Sequence, residues 1–468
     1  MAEQELRGST HQAAVEKLRA SYEAIPPGRN VRLAKRTSNL FRPRAVAESG
    51  LDVTGLDGVV SVDATARTAE VQGMCTYEHL VEATLPHGLM PMVVPQLKTI
   101  TLGGAVTGLG IESTSFRSGL PHESVLEMDV LTGDGRLVTC GPKGPHADLF
   151  RAFPNSYGSL GYTVRLRIEL EQVSPYVALR HVPFTDLDEM ASALDSVCRD
   201  RVWENTDVDF VDGVVFGPHE AYLTLGRWSR DIRQSGVLRP SDYTGQEIFY
   251  RSIRERSRDA LTAHDYLWRW DSDWFWCSKA FGAQHPVIRR LWPSRYRRSD
   301  VFHSIVGLEN RFGVAARVDR WRGLPARESV VQDVEIPVAR TAEFLRWFGE
   351  HVPLSPVWLC PLKLREPDGP GSATQWPLYP LTPGELYINV GFWGTVPIEP
   401  GRSDGDVNRL VEQAVADYGG HKSLYSDVYY DRDTFDELYG AKTYQSVKDE
   451  YDPDGRLTGF YEKVVRGQ

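Results

Sequence analysis

The clearest periodic signal lies at residues 158–170, where Tyr162, Val164, Leu166, Ile168 and Leu170 alternate with Arg165, Arg167 and Glu169. A period of two with one apolar face predicts a half-buried β-strand. Upstream, Val15, Leu18 and Tyr22 fall at helical spacing, and Pro26-Pro27-Gly28 closes that segment. Gly58–Asp63 and Arg67–Gln72 predict two short strands about a turn, and Tyr77–His87 a helix ended by Gly88. Asp129–Val138 predicts a hairpin turning on Gly133-Asp134-Gly135, and His146–Phe153 a helix. Beyond Ser174-Pro175 the composition shifts to Trp, Tyr and Arg, which marks a domain boundary. There, Val208–Arg227 predicts two strands about Gly217-Pro218, and Thr341–His351 a helix with Phe344, Leu345 and Phe348 inward. Gly369–Pro383 reads as an exposed loop. Strands and helices mix throughout, so the class is α+β.

A chain of 468 residues exceeds one ordinary core and predicts two domains. The net charge of −10 argues against a nucleic-acid partner, whose phosphates need a basic surface. The five cysteines are far apart and odd in number, which fits neither a disulfide framework nor a zinc site, so no metal is expected. No apolar run is long enough to span a bilayer. These features predict a cytoplasmic protein, soluble or peripheral.

Residues 99–119 carry five glycines among hydroxyl side chains: Gly103, Gly104, Gly108, Gly110 and Gly119. Backbone of this kind approaches a ligand closely and offers N–H donors to an anion. Gly108-x-Gly110 is followed by Ser113 where a dinucleotide fingerprint wants Gly, so the usual nicotinamide-binding turn is not written here. A purely structural use of the glycines stays open. Lys35-Arg36-Thr37-Ser38-Asn39 forms a second donor-rich turn, facing phosphate or simply solvent. The segment 266–298 crowds Trp, Tyr and Phe against arginine. That mixture suits a lipid/water boundary, or equally a Trp-rich core with arginines stacked on rings.

Taken in order, the donor-rich turn, paired strands, T-x-G-G loop, D-V-L-T-G-D-G hairpin and G-S-L-G strand opening resemble the FAD-binding domain of the vanillyl-alcohol-oxidase and p-cresol-methylhydroxylase (PCMH-type) superfamily. Further stretches are similar to the delta-24 sterol reductase branch: Val94-Pro95-Gln96-Leu97, Gly108–Ser113, Phe210–Gly213, Val330–Asp333, Val357–Pro361 and Tyr425–Tyr429. The resemblance implies a PCMH-type FAD-binding domain over residues 1–174 and an α+β substrate (cap) domain of antiparallel sheet and helices over 175–420. Residues 421–468 would return to the flavin side.

It also implies noncovalent FAD, since Arg36-Thr-Ser-Asn39 has no His for a covalent link, and reduction of a lipid carbon–carbon double bond by NADPH. The sterol enzymes' N-terminal membrane segment has no counterpart in the sequence. Arginine outnumbers lysine, a bacterial bias that turns the expectation toward methylene-branched fatty acyl chains, with a lipid methyltransferase as partner and contact at the inner membrane surface. Such an alkene needs a proton donor on one face and flavin on the other. The resemblance points to Tyr425, Asp427 and Tyr429 for the acid. For FAD it points to Thr37, Ser38, Asn39, Thr101, Gly103, Gly104, Gly108, Gly110, Ser113, Thr114, Ser115, Gly158, Gly161, Tyr162 and Lys442. Rival readings are an alcohol or sugar oxidase or dehydrogenase of the same superfamily, and a flavin-free lipid-binding protein.

Overall fold

The computed structural model describes residues 2–34, 50–312, 323, 325–365 and 376–467. After a long first helix (Ala2–Glu23), the first domain is built on six antiparallel strands. They are β1 (Val59–Asp63), β2 (Thr68–Gln72), β3 (Leu89–Pro91), β4 (Val125–Leu131), β5 (Leu137–Cys140) and β6 (Tyr162–Gln172). Their order is β1-β2-β6-β4-β5, with β3 also on β6. The central β6 keeps its expected alternation: Val164, Leu166, Ile168 and Leu170 are buried and Arg167 is exposed. A helix, Leu102–Thr107, lies close on this sheet because Gly103 has no side chain; a Cβ there would run into Thr163 and the Gly73 carbonyl.

Three residues beyond β6 the chain enters a second sheet. It comprises β7 (Tyr176–Phe184), β10 (Phe210–Gly217), β11 (Glu220–Ser229), β12 (Arg258–Thr262), β13 (Arg327–Pro337), β14 (Val357–Leu362), β15 (Tyr387–Pro397) and β16 (His421–Lys422). A small hairpin, β8 (Val202–Trp203) with β9 (Thr206–Asp207), stands apart. The order β12-β7-β11-β10-β14-β15-β13-β16 is antiparallel throughout, and this sheet runs on to Lys422, two residues past the expected edge of the cap domain.

Side-chain alternation gives the two faces of this sheet different work. Val330, Val334, Ile336, Ile388, Val390 and Phe392 pack under helices Leu187–Asp200, Val338–His351 and Asp406–Asp417. The opposite face carries Asp333, Glu335, Asn389, Gly391, Trp393 and Trp358, and its apolar members share one continuous core with the first domain. The C-terminal helices Arg432–Leu438, Ala441–Tyr451 and Phe460–Val464 return to the first domain, where Lys448 Nζ donates to Ser159 O at 2.8 Å.

The exposed loop expected at 369–383 is not what forms over its described part. Trp376, Leu378, Tyr379 and Leu381 are buried between the domains, and Asn155 Nδ2 donates to the Leu378 carbonyl. Prolines and glycines imitate a surface loop there, while four large apolar side chains supply interdomain core.

A buried ion cluster closes the seam. Arg269 Nη2 donates to Asp212 Oδ2 at 2.7 Å and lies 3.4 Å from Glu112 Oε1, and its guanidinium stacks 3.9 Å above Tyr266. Removing one member of such a cluster leaves charge buried without compensation. Arg269→Met is expected to destabilise the fold by about 3–5 kcal/mol, read as a lower denaturant midpoint.

Candidate active site

The site is assembled from the inner face of the second sheet. Adjacent strands place Trp358, Gly391 and Asp333 in one row, and Cys360, Asn389 and Glu335 in the next. Gly391 is needed here because a Cβ would collide with Asp333 Oδ1 and come within 2.7 Å of the Trp393 ring. Asn389 Nδ2 donates to Asp333 Oδ1 at 3.2 Å, and Ser423 Oγ to Glu335 Oε1 at 2.6 Å.

Tyr425 follows β16 in the turn Leu424–Ser426 and remains half-buried. Its Oη accepts from Trp393 Nε1 at 2.7 Å and is also hydrogen-bonded to Asp333. Burial, then the Asp333 carboxylate, push the Tyr425 phenol well above its usual range. Burial raises the Asp333 carboxyl to about 7 against the bonds from Asn389 and Tyr425, and holds Glu335 well above an ordinary carboxylate. The walls are aromatic: Phe275 lies 4.5 Å and Trp276 5.3 Å from Trp393.

The first domain reaches this cluster through Tyr157, which is close enough to influence the Tyr425, Tyr379 and Tyr439 phenols. Tyr157 sits in a turn where Asn155, Tyr157 and Gly158 all have positive φ (60°, 51° and 74°). Its N–H donates to Thr107 O at 2.7 Å, fastening it to the end of the glycine-loop helix.

The expected acids separate. Tyr425 lies in the cluster, whereas Tyr429 turns to helix Asp406–Asp417, where Arg409 stacks 4.7 Å from its ring. The Asp427 carbonyl accepts from Lys422 Nζ at 2.6 Å. The turn at Leu424–Ser426 breaks the alternation that would have put all three on one side.

Among the expected cofactor residues, Thr37, Ser38 and Asn39 lie outside the described residues. Thr101 caps the glycine-loop helix, accepting from Gly104 N at 3.2 Å, and Gly104 is solvent-exposed. Gly108 borders Tyr157, while Gly110 packs between Pro95 and Pro121. The Ser113 and Thr114 hydroxyls are buried and committed to protein partners, Ser113 to Glu112 and Tyr266 and Thr114 to the Met92 carbonyl. Buried Ser115 accepts from Glu112 N. Ser113, through Tyr266 and the Val211 N–H, and Ser115, through the Lys363 N–H, join the domains. Gly158 stands beside Tyr162, whose ring lies 5.5 Å from Lys463 Nζ, and Gly161 packs on Val130 and Leu131. Lys442 is exposed; the lysine that turns inward on its helix is Lys448.

Sequence reasoning passed over Asp333, Glu335, Asn389 and Tyr157. Two acids at i and i+2 in the apolar run Val330–Ile336 were the available signal, because alternation alone places them on one face.

The described residues fit a flavin dinucleotide. Gly104 is exposed and Thr99 and Thr101 are half-buried at the start of the glycine-loop helix, and the buried Nε2 of Gln96 has no protein partner among the described residues. In the second domain, Asn389 Oδ1 and His421 Nε2 are likewise buried without protein partners among the described residues, as polar groups awaiting a ligand would be.

Comparison with known proteins agrees with this geometry. Residues 15–141 match a family described as FAD binding domain. The chain is 25% identical over 419 residues to the Delta(24)-sterol reductase of Macaca fascicularis, covering 87% of this chain and 76% of that protein. The Delta(24)-sterol reductase of Arabidopsis thaliana is 23% identical over 439 residues, 89% of this chain and 77% of that protein. Cytokinin dehydrogenase 3 of Arabidopsis thaliana is 33% identical over 184 residues, 38% of this chain and 34% of that protein. The chain thus carries a PCMH-type FAD-binding domain and is a relative, along most of its length, of the Delta(24)-sterol reductases.

Proposed function

We propose that this protein is an FAD-dependent reductase of an isolated carbon–carbon double bond in a lipid, with NADPH as reductant. The observation that carries the reading is the Tyr425–Asp333 pair, a phenol backed by a carboxyl near neutral pKa, set in an aromatic wall opposite the glycine-loop domain. When bound, FAD supplies the hydride for one carbon of the alkene. Thr101, Gly104, Gln96 and Tyr157 would hold it in this reading.

The rest is done by the chain. An unconjugated alkene has no carbonyl to take up charge, so one carbon must be protonated as the other receives hydride. Tyr425 stays protonated at neutral pH and carries that proton. As its O–H proton leaves for carbon, the neutral Asp333 carboxyl donates its own proton to Tyr425 Oη, and the Asp333 carboxylate left behind is reprotonated from solvent. Trp393 Nε1–H holds the phenol oxygen in place throughout. Trp276, Phe275 and Trp358 exclude water and offer ring faces to developing positive charge. A proton from Tyr425 and a hydride on the neighbouring carbon turn a methylene branch into a methyl branch.

Methylene-branched fatty acyl chains are the favoured lipid, and a sterol side chain the second. Mass spectrometry of lipids from cells with and without the protein separates them. Accumulated methylene-branched acyl groups in its absence support the first, desaturated sterol side chains the second, and no change in either contradicts both. If NADPH and lipid use the same cleft in turn, initial-rate plots are parallel, as for a ping-pong enzyme; intersecting lines contradict the shared cleft.

A further inference from the structure

The aromatic and arginine-rich stretch splits in two. Trp270, Trp274, Phe275 and Trp276 are buried, as in a core, while residues 285–296 form a projecting rim. On it Val287, Ile288, Leu291 and Tyr296 are 61%, 41%, 78% and 46% exposed, joined by exposed Pro286 and Pro293. A contiguous set of large exposed apolar side chains marks an interaction surface.

This rim is held rigidly. Arg289 is buried beneath it, bonded to both oxygens of Asp273 at 2.7 and 3.0 Å and to Glu247 O at 2.9 Å. Arg297 is buried too, donating to the carbonyls of Thr244 at 2.6 Å, Gly245, and Trp292 at 2.9 Å. Arg298 clamps Glu78 of the first domain through two bonds of 2.8 Å. Buried cations thus fix an apolar edge in the solvent-facing position.

Its charge is opposite to that of the whole. Residues 285–298 hold five arginines and no acidic residue in a chain of net charge −10. With Arg289, Arg297 and Arg298 used internally, Arg290 and Arg295 stand exposed beside the apolar side chains. Apolar tips flanked by arginine, with Tyr296 and the half-buried Trp292 at the same level, match the headgroup zone of an anionic bilayer.

A packed apolar cluster continues inward from this edge. Trp292 and Phe281 pack on Phe302 (5.8 and 5.6 Å between rings) in a cluster that includes Trp274. Trp274 and Phe275 have φ of 44° and 59°, a reversal that sends one ring into this cluster and the next into the Trp393 wall. The docking edge and the active site are therefore connected by consecutive residues.

We propose that residues 285–296 are a docking surface for an anionic lipid bilayer, inserting Val287, Ile288 and Leu291 with Arg290 and Arg295 at the headgroups, so that the enzyme is held at its lipid source. The purpose of docking rests on the lipid-reductase reading, but docking itself is measured without turnover, so either can fail alone. The test is co-sedimentation of the flavin-loaded full chain with phosphatidylcholine vesicles, with and without phosphatidylglycerol. Binding is expected to the anionic vesicles and to weaken with salt. V287D/L291D and R290E/R295E should each bind at least about tenfold more weakly with unchanged melting, since these side chains are exposed. Failure of the parent protein to bind anionic vesicles overturns the proposal, as does parent-like binding by V287D/L291D. So does a dimer that V287D/L291D dissociates while vesicle binding persists, which would make the edge a protein interface.

Discussion

Tyr425→Phe lowers turnover of the lipid alkene by about 10²–10⁴-fold while the bound flavin keeps its spectrum and its reduction by NADPH. The phenol is the group that can deliver a proton in this aromatic wall, and its loss removes one oxygen from a ring whose packing is otherwise kept. The partners left behind are Trp393 Nε1–H and the Asp333 carboxyl, both able to bond to water admitted by the missing oxygen. Stopped-flow measurement of the two half-reactions checks this: the alkene half slows and the NADPH half does not. Equal slowing of both halves would move Tyr425 from proton delivery to flavin placement, and no slowing would remove it from the chemistry.

Asp333→Asn has two large effects of opposite benefit. The carboxyl titrates at about 7 in the fold against a usual 3.8, because burial disfavours its charge. A pKa raised by folding gives stability that is full below the unfolded value and is lost as pH rises through about 7. At pH 8 the fold therefore carries a buried ionised acid, and its replacement by a neutral amide is expected to stabilise by up to about 4 kcal/mol, a gain that disappears near pH 4. Activity moves the other way. The parent enzyme needs Asp333 protonated, so its alkene step declines above about pH 7; Asp333→Asn is slow at every pH and lacks that limb. Melting temperature and single-turnover rate across pH 4–9 read both effects. Burial likewise holds Glu335 well above the usual carboxylate range; Asp333→Asn keeps Glu335, so loss of the limb in that variant assigns it to Asp333.

The first domain was legible in the sequence because its strands are local and amphipathic. β6 announces itself by alternation, the β4–β5 hairpin by Gly133-Asp134-Gly135, and the end of the helix at Tyr77 by Gly88 with φ 68°. The active site was legible only in part. Tyr425 was singled out and the fold brings it beside Asp333, but Asp333 and Glu335 sit in a run whose valines and isoleucine suggest simple core, and their place in the candidate site depends on a partner strand more than fifty residues away. Trp376 and Tyr379 were hidden by flanking prolines, which describe backbone and say nothing of what the rings between them bury. Ser113 to Ser115 look like phosphate donors by composition; only the packing reveals that the Ser113 and Thr114 hydroxyls are spent on Tyr266, Glu112 and Met92.

The glycines teach the same distinction. In one loop, Gly104 lies at the surface, Gly103 admits the sheet and Gly110 admits two prolines. A glycine count finds the loop but cannot separate ligand contact from close packing, because both require the absence of a Cβ.

The central claim is that one cleft takes reducing equivalents from NADPH and gives them to an isolated lipid alkene. Anaerobic mixing of the purified yellow protein, first with NADPH and then with a methylene-branched phospholipid, tests it most directly. The account predicts bleaching of the flavin band in the first step and its return in the second, with a methyl-branched product in equal amount. A flavin that NADPH leaves yellow, or one that stays bleached when the alkene is added, contradicts it.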